Sequence, residues 1–357
     1  MRRSPDGTAV MRMGVSLAAE LREAPDAVRR QASEIAFPLG ELMTRLARQP
    51  PSFVITCARG SSAHAATFAK HLIERYPGIP VAEAAPNIAS VYRRELRLKN
   101  QLLLAISQSG ASDDLVETAA MAKTAGALTV ALVNDACSPL AAACEIVLPM
   151  AAGAEHSIAA TKSFICSLAA LLRIVAQWTT NAALGNACDR LPERLAAAAA
   201  LDWSAALRPL VGVSSVVTIG RGPTLAIARE AALKLKETCG LPAEAFSSAE
   251  FRHGPIALVS AAYPVMVFAP TDESGAGLRE LVADLGRKGA CVLLALPQST
   301  RAEMSKTVLL PALPAEQAEA DAIPLIQSFY PLLVGLAERR GTDIDAPPHL
   351  QKVTRTR

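Results

Sequence analysis

Hydrophobic and polar positions along the chain fall into two alternating textures. Short, unbroken apolar runs occur at residues 53–57, 102–106, 128–133 and 146–149, and again at 216–219, 265–268, 291–296 and 308–311. A run without polar alternation predicts a strand buried on both faces, hence a parallel sheet covered by helices. Between the runs, apolar residues recur at helical spacing. Helical patterns follow the turn at Gly60 through Glu74 and the turn at Gly222 through Glu237. Two more cover residues 113–125 and 278–288, closed by Gly126 and Gly289 at the C-terminal capping position. Strands alternating with helices predict the α/β class, with doubly wound, flavodoxin-like domains.

The two sets of runs repeat. Gly60 and Gly222, each just after a strand, lie 162 residues apart, and the other strand pairs keep nearly that offset. This predicts a duplication of two α/β units rather than a short-period solenoid. Residues 1–50 read as a tail and helical arm, 51–180 as the first domain, and 181–212 as an Ala-rich helical connector. Residues 213–340 form the second domain and 341–357 an extended tail containing Pro347-Pro348.

Composition narrows the function classes. The 357 residues are 51% hydrophobic and 19% charged, enough apolar material for a real core and too little charge for a disordered chain. A net charge of +3 and 4% aromatics argue against a basic or base-stacking surface, so nucleic acid is not an expected partner. Mean hydropathy is +0.26, but the longest apolar stretch, residues 164–178, contains Arg173 and falls short of the ~20 residues that span a bilayer. It reads as a buried helix, and no membrane is expected. Arg2-Arg3 is followed by no apolar segment, so no secretory signal is expected and the location reads as cytoplasmic; Met11 or Met13 is an alternative start to Met1. Seven cysteines without a CxxC predict free thiols in a reducing compartment. His64 and His71, two helical turns apart, read as a helix face, and no metal site is expected.

Two places carry candidate chemistry. Ser107-Gln108-Ser109-Gly110-Ala111-Ser112 links a strand to a helix beginning near Asp113. Such a turn points free backbone N–H groups outward, and the serines add hydroxyl donors, so a phosphate fits there. No lysine follows the glycine and no GxGxxG is present, which favours a small phosphorylated ligand over a nucleotide. The alternative is a serine-capped helix with no ligand. Gly60-Ser61-Ser62 occupies the equivalent turn nearby, whereas the second-half equivalent, Ala269-Pro270-Thr271-Asp272-Glu273, is acidic and would repel a phosphate. In the second half, Lys234 and Glu237 share a helix face, and His253 precedes Gly254-Pro255 where a helix cannot easily continue. A salt-bridged surface pair is the plain reading of the first two. Histidine, carboxylate and lysine are nonetheless the groups sugar isomerisation needs, for ring opening, proton transfer between C2 and C1, and stabilisation of the enolate.

Four motifs in order, Ser107-Gln108-Ser109-Gly110, Glu230-Ala231-Ala232-Leu233-Lys234-Leu235-Lys236-Glu237, Glu250-Phe251-Arg252-His253-Gly254-Pro255 and Asp345-Ala346-Pro347-Pro348-His349-Leu350-Gln351-Lys352, resemble the isomerase part of glucosamine-6-phosphate synthase, a tandem pair of sugar isomerase (SIS) domains. The resemblance covers nearly all of residues 40–357 and implies two tandem SIS domains. It implies that Ser61, Ser62, Ser107, Gln108, Ser109 and Ser112 hold a sugar phosphate. Glu237 would be the base that moves the C1/C2 proton, Lys234 would assist the enolic intermediate, and His253 would open the ring from a neighbouring subunit, making a homodimer with a shared site. Lys352 would be the tail lysine able to form a Schiff base with the ketose. No cofactor is implied.

The synthase also carries a glutaminase domain with an N-terminal cysteine, whereas here about 50 residues without cysteine precede the first strand. The resemblance is therefore to stand-alone SIS-type glucosamine-6-phosphate deaminases, which release fructose 6-phosphate and ammonia. Rival readings are a galactosamine-6-phosphate deaminase, a fructosamine-6-phosphate deglycase, an ammonia-dependent synthase, or a non-catalytic sugar-phosphate sensor. Against the sensor stand the full set of acid–base residues and the lack of a helix-turn-helix segment. The loop Glu155-His156-Ser157 and a turn at 243–248 are candidates for choosing the sugar.

Overall fold

A computed structural model of the chain describes residues 17–297 and 307–352. The candidate starts Met1, Met11 and Met13 lie outside the described residues. Three helices, α1 (Leu17–Glu20), α2 (Ala24–Glu34) and α3 (Ala36–Arg48), precede the first sheet. That sheet contains β1 (Val54–Ala58), β2 (Val81–Glu83), β3 (Leu102–Ser107), β4 (Leu128–Val133) and β5 (Ile146–Pro149), ordered β2-β1-β3-β4-β5. Every pairing is parallel. Its helices are α4 (Ser61–Arg75), α5 (Asn87–Ser90), α6 (Asp113–Thr124) and α7 (Pro139–Ala143). Helices α8 (Lys162–Trp178), α9 (Ala182–Ala199) and α10 (Leu207–Val211) lead to the second sheet.

The second sheet contains β6 (Val216–Gly220), β7 (Ala243–Ser247), β8 (Pro264–Phe268), β9 (Cys291–Pro297) and β10 (Thr307–Ala312). Read from its β7 edge the order is β7-β6-β8-β9-β10, again all parallel, which repeats the first sheet's topology. Its helices are α11 (Thr224–Cys239), α12 (Ser248–Arg252), α13 (Gly275–Arg287) and α14 (Ala318–Arg340). The duplication read from the apolar runs is thus a duplication of topology.

Two strands escape the apolar pattern. β2 and β7 are edge strands, each hydrogen-bonded to one neighbour, and Ala82, Glu83 and Glu244 are exposed. An edge strand needs no unbroken apolar run. Residues 243–247, expected as a turn, are therefore strand β7.

One core joins both halves. It runs through Phe68 and Leu72 of α4, Leu168 and Leu172 of α8, Ile227 and Leu235 of α11, and Ile326, Phe329 and Leu333 of α14. Each such side chain, fully buried, contributes about 1.5–3 kcal/mol. Residues 164–178 lie within α8 and are largely buried, as expected. Among the described residues α14 is long and apolar enough to cross a membrane, but 83% of its apolar window is buried inside the protein, so it serves as a core helix. The consequence for function is that α4 of the first half packs directly on α11 of the second.

Candidate active site

In the first sheet the strand order reverses between β1 and β3, and the loops leaving their carboxyl ends diverge. Open α/β sheets bind ligands in the crevice so formed. The loop after β3 is set by Gly110, whose φ is +60° and where a Cβ would stand 2.1 Å from Ser138 Oγ. Only glycine fits. The Oγ atoms of Ser107 and Ser109 accept from the N–H groups of Gly110 (3.0 Å) and Ala111 (3.3 Å). Each oxygen thus accepts one bond, and its O–H can still donate to a ligand. Ser112 is the residue before α6, yet its hydroxyl makes no capping bond. The capped-helix alternative therefore does not account for it. Gly60 opens α4 with φ +54° and no side-chain cap, so α4, like α6, presents unpaired first-turn N–H groups near the same crevice.

A cavity of about 390 Å³ occupies this place. Ser61, Ser62, Ser107, Gln108, Ser109 and Ser112 line it from the first half, Lys234 and Glu237 from α11, and Leu350, Gln351 and Lys352 from the tail. Nine of the ten residues expected at the site thus surround one space, even though α11 belongs to the second half. Ser61 differs in detail, because its hydroxyl donates to Glu230 Oε1 at 2.9 Å and so faces away from a phosphate role. His253 is the exception. It caps the C-terminal end of α12, is exposed, and is not among the residues lining the cavity of its own chain.

The charges form a buried row. Lys234 Nζ lies 2.6 Å from Glu237 Oε2 and 3.4 Å from Glu230 Oε1. Glu230 Oε2 meets His64 Nδ1 at 2.8 Å. Glu230 is 0% exposed and Lys234 1%, while Glu237 keeps access to the cavity. Burial alone would raise the Glu230 carboxyl and lower the Lys234 ammonium, but their mutual attraction wins: Glu230 is held below its ordinary value and Lys234 above it. Lys234 is therefore an ammonium at neutral pH, a donor beside Glu237 and not a neutral amine.

Lys352 comes from the tail. Its Nζ donates to the Ser157 carbonyl at 2.6 Å and to Glu155 Oε2 at 3.3 Å. Glu155 is buried and also accepts from Thr161 N, Ser163 N and the Ser163 hydroxyl, at 3.0, 3.1 and 2.7 Å. The loop expected to choose the sugar thus anchors the tail.

Sequence reasoning gave no site role to Arg59, Glu230 or His64. Arg59 lines the cavity and pairs with Asp114 Oδ2 at 2.8 Å, leaving a half-exposed guanidinium beside the serine loop. The signal for Glu230 was its i,i+4 spacing to Lys234. His64 and His71 do not act as one face: His71 meets Glu319 Oε1 at 3.5 Å, on another buried carboxylate.

The equivalent place in the second half is filled. The acidic loop after β8 takes Arg75 of α4, whose Nη1 lies 2.8 Å from Asp272 Oδ2 and whose Nε lies 3.3 Å from Glu319 Oε1. His71, Asp272 and Glu319 come within 4.8 Å of one another, a set of metal-ligand type, and the Arg75 guanidinium already pairs with both carboxylates. Each half thus lends a helix to the other, and among the described residues the exchange through α11 leaves an open cavity lined by the Lys234–Glu237 pair.

Comparison with known proteins agrees with this architecture. The SIS domain model matches twice, at residues 51–176 and 210–334, one match for each sheet. A glutamine–fructose-6-phosphate aminotransferase (isomerizing) of Bradyrhizobium diazoefficiens is 32% identical over 321 residues, covering 83% of this chain and 50% of the relative. The chain spans about half the length of the curated relatives it matches. A Silicibacter pomeroyi crystal structure, provisionally assigned as a phosphosugar isomerase, superposes with TM-score 0.86 at 41% identity, covering 91% of this chain and 98% of that one. The C-terminal domain of a Francisella tularensis glucosamine-fructose-6-phosphate aminotransferase shares the fold, with TM-score 0.80 at 24% identity, covering 96% and 100%. With one match for each half of the duplication, and a relative aligned across most of the chain, this protein belongs to the SIS domain family.

Proposed function

We propose that this chain is an isomerising deaminase of amino-sugar phosphates, converting glucosamine 6-phosphate and water to fructose 6-phosphate and ammonia. The observation that carries the reading is the placement of the Lys234–Glu237 pair in the same cavity as the serine loop. A phosphate held by Ser62, Ser107, Gln108, Ser109 and Ser112 would place C1 and C2 of an opened sugar against Glu237, which is catalysis by positioning. Glu237 takes the proton from C2 and returns it to C1. C1 is thereby reduced from aldehyde to alcohol while C2 becomes an imine. Water adds to the imine carbon, the C–N bond breaks, and ammonia leaves. The Lys234 ammonium stabilises negative charge developing on the enolate oxygen. Lys352, whose Nζ lies 3.3 Å from Glu155 Oε2 and which lines the same cavity, would meet the ketose carbonyl.

Ring opening falls to His253. Because it lies outside the cavity of its own chain, we assign it to the cavity of a second copy, in a cytoplasmic homodimer. The test is product release from purified protein given glucosamine 6-phosphate, with galactosamine 6-phosphate and N-acetylglucosamine 6-phosphate in parallel. Equal release of ammonia and fructose 6-phosphate from the first supports the reading. Turnover of another amino-sugar phosphate alone moves it to that substrate, and binding without turnover of any supports a sensor.

A further inference from the structure

The two oxygens of the buried Glu230 carboxylate are held from different sides. Oε1 accepts from the Ser61 hydroxyl at 2.9 Å and faces the Lys234 ammonium at 3.4 Å, while Oε2 meets His64 Nδ1 at 2.8 Å. A carboxylate can only accept here, so the His64 nitrogen facing it carries the hydrogen. Glu230 has no exposed surface, and an unpaired oxygen there would be costly. Lys234 is correspondingly closer to Glu237, at 2.6 Å, than to Glu230. With Ser61 and His64 satisfying Glu230, the ammonium is left to lean on Glu237.

We infer that His64 is a positioning residue for the base: by holding Glu230 Oε2 it leaves Lys234 to fix the carboxylate of Glu237. The inference rests on the role of Glu237 proposed above. His64 belongs to α4 and Glu230 to α11, so the bond also ties the two halves together at the row of charges. Its ring is not sealed in: it also lines a second cavity, of about 290 Å³, together with Glu83, Arg229 and Lys236. Without His64, Glu230 Oε2 has one strong donor within reach, Lys234, and turning toward it draws the ammonium off Glu237. The base then loses its fixed geometry, whereas the serine loop keeps its own bonds, from Gly110 N to Ser107 Oγ and from Ala111 N to Ser109 Oγ.

The test compares His64→Leu and His64→Asn on the sugar the wild-type chain turns over. Asparagine can present an amide N–H close to the position of Nδ1. His64→Leu is expected to lower kcat roughly 10- to 100-fold, the scale of a misplaced reacting group, with KM changed less than about threefold. His64→Asn is expected to recover kcat to within about fivefold of wild type. An unchanged kcat in His64→Leu, or equal losses in both variants, overturns the inference. If His64→Leu does not fold, imidazole ¹⁵N spectra of the wild-type protein decide, with His64→Asn assigning the signal. A Nδ1–H tautomer that shifts on Glu230→Gln supports the bond, and a Nε2–H tautomer overturns it. The same spectra judge the placement if the wild-type chain turns over no sugar, an outcome that removes the proposed function itself. Loss of turnover in Glu237→Gln with normal turnover in His64→Leu leaves the function standing and removes only the positioning role.

Discussion

Lys234 Nζ stands 2.6 Å from Glu237 Oε2, one helical turn apart on a helix that the second half of the chain lends to the first. The lysine also faces the fully buried Glu230 at 3.4 Å. Removing one partner of a buried pair leaves an uncompensated charge. Lys234→Ala is expected to destabilise the chain by about 3–5 kcal/mol, read from denaturant midpoints. A loss below about 1 kcal/mol, the size of an exposed pair, would show that Glu230 has other means of neutralisation.

Gly110→Ala tests the serine loop. The new methyl would meet Ser138 Oγ at 2.1 Å, on a backbone with φ +60°. Strain of this kind costs about 1–3 kcal/mol. We expect that loss in urea denaturation, together with loss of the melting-temperature rise given by fructose 6-phosphate. Retained stabilisation by the sugar phosphate would remove the loop from the binding site.

How much of this was legible in the sequence depends on whether the cause is local. All eight strands expected from apolar runs are present: six are interior strands, buried on both faces and so apolar throughout, and two, β5 and β10, are edge strands whose runs are apolar as well. The opposite edges, β2 and β7, with Glu83 and Glu244 exposed, carry no such signal. The i,i+3 spacing of Lys234 and Glu237 was readable for the same local reason. His64 and Glu230 are 166 residues apart, and Lys352 and Glu155 are 197 apart. Those pairings arise from packing of α4 on α11 and from the return of the tail, which no spacing along the chain encodes. The acidic loop at Asp272 was read as hostile to phosphate, and Arg75 of α4 fills that place.

His253 lies outside the cavity of its own chain, so a shared site predicts complementation. His253→Ala and Glu237→Gln should each be inactive alone. Mixed and allowed to exchange subunits, they should regain about a quarter of wild-type activity, since half the dimers are hybrids with one intact site of two. No recovery after verified exchange would place His253 outside the reaction or within its own subunit.

The network at the second half predicts acid sensitivity. Burial alone would raise the Glu319 carboxyl, but the neighbouring His71 and Gln317 side chains and the Tyr76 hydroxyl, which donates to Oε2 at 2.9 Å, hold it at about 2, below the ordinary 4.5. A depressed carboxyl contributes stability fully above its unfolded value and loses it as pH falls toward the folded one. The window here is pH 4.5 down to about 2, at about 1.4 kcal/mol per pH unit within it. Melting temperature should fall across that window, and Glu319→Gln should make the fall shallower while lowering stability at neutral pH. Parallel curves for the two proteins would contradict this.

In the proposed reaction Glu237 moves a proton on a sugar phosphate that the serine loop holds. The most direct measurement sets ammonia release from glucosamine 6-phosphate by Glu237→Gln against that of the wild type, with fructose 6-phosphate affinity measured calorimetrically on both. A kcat loss of roughly 100- to 10,000-fold, the usual worth of a general base, is expected, with affinity changed less than about threefold. Turnover unchanged by the substitution would contradict it.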